Sequence, residues 1–171
     1  MRLLFIIIPT FSLLSTALPF FPCASATDEL QIRNKLAIYS VALDTKNLDL
    51  LDEVFTADAA VTYPLDPPND KINGLPALKQ VLEDQLRGVV TQQALSTLVV
   101  ECGPHRAPNS TTYLSATYLG QGDLVGQTIQ FYGVFEDEWT HAEGQWKSKT
   151  RTLTFLENGV VGNTSIIPTL T

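Results

Sequence analysis

The chain has 171 residues, of which 44% are hydrophobic and 17% charged, and its net charge is −7. That is the size and composition of one globular domain, not of a disordered chain. No basic run or stripe is present, so the acidic balance points away from nucleic acid and from anionic membrane surfaces as partners.

The N-terminus reads as an export signal. Arg2 precedes the apolar run Leu3 to Leu18, and Ala24-Ser25-Ala26 offers the small residues of a cleavage site. The boundaries are therefore 1–26 for a signal peptide and 27–171 for the mature domain. The protein is expected to be secreted or to reside in the secretory lumen, free of the membrane once cleaved. Cleavage after Ala26 discards Cys23 and leaves Cys102 as an unpaired, buried strand residue, whereas cleavage after Ala17 keeps Cys23 and permits a Cys23–Cys102 bridge. The later site is the preferred reading. Behind a signal peptide, the sequons at Asn109 and Asn163 become candidate glycosylation sites. His105 and His141 stand at no ligand spacing with a cysteine, so no metal site is expected.

Asp28 to Thr45 has a helical stripe of Ile32, Leu36, Tyr39 and Leu43, with Asp28 placed to cap it. Asn47 opens a shorter helix carrying Leu48, Leu51 and Phe55. Ala59 to Tyr63 is a short strand that stops at Pro64. A third helix starts at Gly74-Leu75-Pro76, buries Leu75, Leu78, Leu82 and Leu86, and ends at Gly88. Five β-type runs follow: Ala94 to Cys102, Thr111 to Leu119, Gly126 to Trp139, Gln145 to Leu156 and Val160 to Ile167. Three helices before a mostly antiparallel sheet make an α+β layer pair. A long curved sheet wrapped on those helices closes at one end, like a cone, and encloses a cavity. The strand Gly126 to Trp139 is apolar on both faces, which predicts a homodimer through the outer face of the sheet.

Several segments resemble one family. Ala42 to Asp49, Asp52 to Ala59, Tyr63, Thr91 to Thr97, Gly126 to Glu138, and Trp146-Lys147 with Arg151-Thr152-Leu153 are similar, in order and spacing, to a SnoaL-like domain. The likeness includes scytalone dehydratase and the wider nuclear transport factor 2-like superfamily, and it covers about Asp28 to Ile167. It implies the cone fold, an apolar pocket holding a carboxylate and often a histidine, and chemistry that needs no cofactor.

The resemblance puts Asp44 in the acid/base position and Tyr63 where a tyrosine holds a water or a substrate oxygen. Read by itself, Asp44 is either a half-buried carboxylate with a raised pKa or a solvated helix-end aspartate. Tyr63 is either a hydrogen-bond donor to substrate or a packed strand residue. Where the family pattern reads Thr-Gln-His, this chain reads Thr91-Gln92-Gln93, and glutamine cannot exchange a proton. The family's second histidine aligns near Tyr118, and its polar pair near Gln130 and Tyr132. Gln93, Tyr118, Gln130 and Tyr132 are thus the candidate substrate-binding residues, with Asp44 and Tyr63 as the catalytic pair. Arg151 serves either an anionic substrate or an ion pair with Glu136, Asp137 or Glu138.

The function expected is a cofactor-independent isomerase or cyclase, or a dehydratase, acting on a small apolar polyketide- or terpenoid-like molecule of secondary metabolism. A secreted non-catalytic ligand-binding protein is the alternative, and an interaction domain using the sheet face a third.

Overall fold

A computed structural model describes residues 24–64, 70–102 and 107–167. The part of the expected signal peptide through Cys23, and His105, lie outside these residues. Helix α1 (Ala26–Asp44) starts two residues before Asp28, because Ser25 is its cap. Ser25 Oγ accepts the Asp28 backbone N–H at 3.2 Å, and the Asp28 carboxylate accepts the Ser25 N–H at 2.8 Å. This reciprocal capping box satisfies two donors that a helix start leaves open. The expected stripe Ile32, Leu36, Tyr39 and Leu43 is buried.

The expected second helix is a 3-10 segment, Leu48–Glu53, too short to propagate as an α-helix. Strand β1 (Phe55–Thr62) starts earlier than its apolar pattern suggests, and β2 (Lys71–Asn73) pairs with it. Helix α2 (Leu75–Gln85) has Pro76 in its first turn and is followed by Gly88 at φ 72°, a backbone turn that favours glycine. Four long strands follow: β3 (Val89–Cys102), β4 (Pro108–Gly120), β5 (Thr128–Ala142) and β6 (Gln145–Gly162).

The sheet runs β2-β1-β6-β5-β4-β3, antiparallel except where β1 meets β6. The expected strand Gln145 to Leu156 and the start of the expected Val160 to Ile167 form the single strand β6, while Thr164–Ile166 is a 3-10 turn instead of strand. Phe131 pairs with Val160 but Gly133 with Phe155, so β6 carries extra residues between. Asn158 lies at φ 56° in that bulge. A Cβ on Gly159 would lie 2.4 Å from the Tyr132 carbonyl oxygen, so the close approach requires glycine. Such a bulge bends a sheet, and here it curls the sheet around α1 and α2. The apolar residues of the inner face and the two helices form the main core.

One sequence reading is corrected. Cys102 is not a buried thiol: it is exposed at the end of β3 and held in a disulfide. The bulge at Thr97 shifts the inward set from Val89, Thr91 and Gln93 to Leu98 and Val100, the parity of Cys102, so Cys102 is exposed because it is the last residue of an edge strand.

Candidate active site

Strand alternation sends Leu114, Ala116 and Tyr118 of β4, Phe131 and Phe135 of β5, and Leu153 and Phe155 of β6 to the concave side. With Leu82 and Gln85 of α2, and with Tyr39, Tyr63 and Gln93, they line a narrow cavity. The space open to the centres of water molecules is about 50 Å³, enough for a few ordered waters.

The polar groups in this apolar wall come in two pairs. Tyr39, from the buried stripe of α1, and Tyr63, just past β1, join their hydroxyls at 2.9 Å. One O–H is spent on that bond, so the pair keeps one proton to donate. Gln93 Nε2 donates to Tyr118 Oη at 3.2 Å, which leaves the Tyr118 proton free as well. Burial is the largest cause raising all three phenols, and it pushes Tyr63 up to about 12. These hydroxyls therefore stay protonated near neutrality and act as donors, not bases.

Arg151 lies behind this wall. It pairs across β5 and β6 with Asp137, Nε to Oδ1 at 2.8 Å and Nη2 to Oδ2 at 3.2 Å. Its guanidinium carbon is 4.4 Å from the centres of the Tyr39 and Phe135 rings and 4.9 Å from that of Phe55. Burial is the largest single effect and opposes its charge, but the Asp137 carboxylate together with the neighbouring Tyr39 and Tyr63 outweighs it, and the arginine is held charged. Of the three candidate acids, Asp137 is the partner because it faces Arg151 directly in the ladder. Arg151 Nη1 has no hydrogen-bond partner.

Asp44 is the last residue of α1 and half-buried. Its Oδ1 accepts the Thr91 hydroxyl at 2.9 Å and the Gln93 backbone N–H at 3.0 Å, and its Oδ2 shares that N–H at 3.1 Å. Asp44 thus fastens the end of α1 to β3. It does not line the cavity; it borders a groove of about 460 Å³ between α1 and β3, and Gln93 borders both spaces.

Residues 24–152 match the family model of the SnoaL-like domain. The chain belongs to the SnoaL-like family. No curated protein sequence matches it. Among solved structures, it is similar to a protein from Novosphingobium aromaticivorans described as a proposed aromatic ring hydroxylase, with 22% identity, a TM-score of 0.70, and coverage of 84% of this chain and 98% of that one. A proposed scytalone dehydratase from Novosphingobium aromaticivorans gives 22% identity and a TM-score of 0.68, covering 80% of this chain and 88% of that one. A hexachlorocyclohexane dehydrochlorinase gives 15% and 0.66, covering 82% and 94%. Identities this low establish the shared fold.

Within this SnoaL-like domain the other sequence-predicted residues fall apart from the cavity. Gln130 and Tyr132 lie on the outer face of the sheet, because Phe131 between them takes the inward position. They bond each other at 3.4 Å, Tyr132 Oη donating to Gln130 Oε1. Asn109 is half-buried in β4 between Glu101 and Glu138. Asn163 is exposed, and its Oδ1 accepts the Ser165 N–H at 3.0 Å and hydroxyl at 2.8 Å. His141 packs edge-on against Trp146, away from the cavity.

Sequence reasoning treated Tyr39 as core and missed its bond to Tyr63. The available signal was a phenol on an otherwise aliphatic helical stripe, five residues before Asp44. A buried tyrosine hydroxyl needs a partner.

Proposed function

We propose that this SnoaL-like protein is a cofactor-independent isomerase or cyclase, with dehydration as a variant, for a small apolar polyketide- or terpenoid-like substrate of secondary metabolism. The observation that carries this reading is the pair of unspent phenolic protons, one shared by Tyr39 and Tyr63 and one on Tyr118, inside an apolar wall. Neutral donors in a water-poor site suit a carbonyl oxygen that gains negative charge during enolisation or ring closure. In this reading Tyr63 and Tyr118 polarise that oxygen and Gln93 orients it. Asp44 moves the proton, reaching substrate past Gln93, the residue common to groove and cavity. A substrate larger than a few waters moves the cavity walls as it enters, so the cavity and groove join when the Gln93 side chain turns aside.

The test is metabolite profiling of the producing organism with the gene deleted, then restored as wild type or as Asp44→Asn. An isomeric or uncyclised precursor that only wild type clears supports the reading. Equal rescue by both removes the proton-transfer role of Asp44. A second reading, a non-catalytic carrier, is favoured by one observation: among the described residues, no histidine or carboxylate lines the cavity. A deletion that leaves every metabolite unchanged would select it.

We also propose that the protein matures in the secretory pathway and carries glycan at Asn109, Asn163 or both. The Cys102 disulfide fits an oxidising compartment. Cleavage after Ala26 would discard Cys23, the chain's other cysteine, and the Ser25 cap; cleavage after Ala17 keeps both. N-terminal sequencing of the secreted protein distinguishes Leu18 from Thr27 as the first residue. Finally, we propose a homodimer through the outer sheet face, where Val90, Tyr113, Leu119, Tyr132 and Val161 are exposed.

A further inference from the structure

The groove between α1 and β3 has features that the cavity chemistry does not use. Its space, about 460 Å³, is far larger than that of the cavity. A bulge in β3 helps to form it: Ser96 pairs with Tyr113 and Leu98 with Thr112, while Thr97 between them lies at φ 51°. A β-branched residue in the left-handed region is an outlier that the surrounding structure must impose. The bulge turns Leu98 toward Leu36 of α1.

Two hydroxyls bordering this groove have no hydrogen-bond partner among the described residues, Ser40 Oγ on α1 and Thr112 Oγ1 on β4. Thr112 is only 2% exposed. Buried hydroxyls are normally bonded, and a helical serine commonly turns back to a carbonyl one turn earlier. Ser40 does not, although the neighbouring Thr45 hydroxyl bonds the Val41 carbonyl in that way. Around the two hydroxyls the wall is apolar, with Leu36, Val41 and Leu98.

The geometry points to a second small-molecule site in this groove, taking an apolar compound that carries a hydroxyl group, with Ser40 and Thr112 as its hydrogen-bond partners. A ligand hydroxyl donates once and accepts twice, so it can bond a side-chain hydroxyl as either donor or acceptor. Arg33 and Asp44 also border this space, one charge of each sign, so the groove selects no net charge and the two hydroxyls set its polar preference. The site shares Gln93 with the tyrosine-lined cavity, and its test reads binding in the groove, not turnover.

The full mature protein is titrated with 1-naphthol and with naphthalene, followed by backbone amide NMR. The expected result is shifts at Ala37, Ala94 and Leu98, with 1-naphthol bound roughly fivefold more tightly than naphthalene. Thr112→Val keeps the shape and should erase that preference. Ala37→Phe, at an exposed helix position, should block both compounds. Equal binding of the two compounds to wild type overturns the proposal. So do shifts confined to Ala116 and Phe131 in the cavity, or a Thr112→Val protein that keeps the preference.

Discussion

The Asp44 carboxylate grips the backbone N–H of Gln93 at 3.0 and 3.1 Å, so the end of α1 is tied to the strand residue whose inward side chain lines the cavity. One residue thus couples a helix end to the cavity wall, and changes at Asp44 act on structure and chemistry together.

Asp44→Asn turns an amide N–H toward a cluster of donors. It is expected to lose roughly 1–3 kcal/mol of stability as well as turnover. Thr91→Val removes one of the same bonds and leaves the carboxylate in place, so it should lose about 1 kcal/mol and keep turnover. Denaturant unfolding beside turnover separates the two effects. Equal loss of turnover in both variants would mean that Asp44 only fastens the helix.

Tyr118→Phe deletes the Tyr118 proton, and the double change Tyr39→Phe with Tyr63→Phe deletes the one that their pair keeps. Each is expected to lower turnover by about a hundredfold, the scale of one lost oxyanion donor. The folded state should persist by circular dichroism. Unchanged turnover in both variants would sink the donor role.

Arg151 and Asp137 are both fully shielded from solvent. Asp137→Asn or Arg151→Met alone strands the remaining charge and should cost about 3–5 kcal/mol, whereas the double change Asp137→Leu with Arg151→Met should recover most of it. Guanidinium unfolding of the three variants measures this. Full additivity of the single losses would contradict a coupled pair.

Asp28 is held below the usual carboxylate range, first by the Trp146 indole N–H at 2.8 Å and then by Ser25. Its folded pKa is depressed below the ordinary aspartate value of 3.8, so its stabilisation is present above that pH and is lost as pH falls through the folded value. Trp146 fluorescence should therefore change on acidification below that range, before global unfolding. Asp28→Asn should abolish this early transition.

Tyr113, 44% exposed on the outer sheet face, is expected at the dimer contact. Tyr113→Glu should convert dimer to monomer in light scattering at micromolar concentration. A wild-type monomer at that concentration would remove the dimer altogether.

Much of the fold was legible because burial leaves a period in the chain. The stripe Ile32, Leu36, Tyr39 and Leu43, the leucines of α2 and the long β-branched runs all form their expected elements. Boundaries were less legible. The Ser25 cap lies inside a segment that reads as a cleavage site, and the β6 bulge at Asn158-Gly159 reads as a turn between two strands. Both depend on partners, Asp28 in one case and the Tyr132 carbonyl in the other, that matter only once the backbone is placed.

The sequence by itself determined the α+β class, the family and most of the polar residues that border the cavity, since residue type and local period need no distant contact. Only the tertiary structure decided which of those residues meet. Inward or outward direction on a strand depends on register and bulges, so Phe131 faces the cavity while Gln130 and Tyr132 do not. Pairings such as Tyr39 with Tyr63, and Asp44 with Gln93, join positions 24 and 49 residues apart. They form only where the curled sheet brings helix and strand within hydrogen-bond reach.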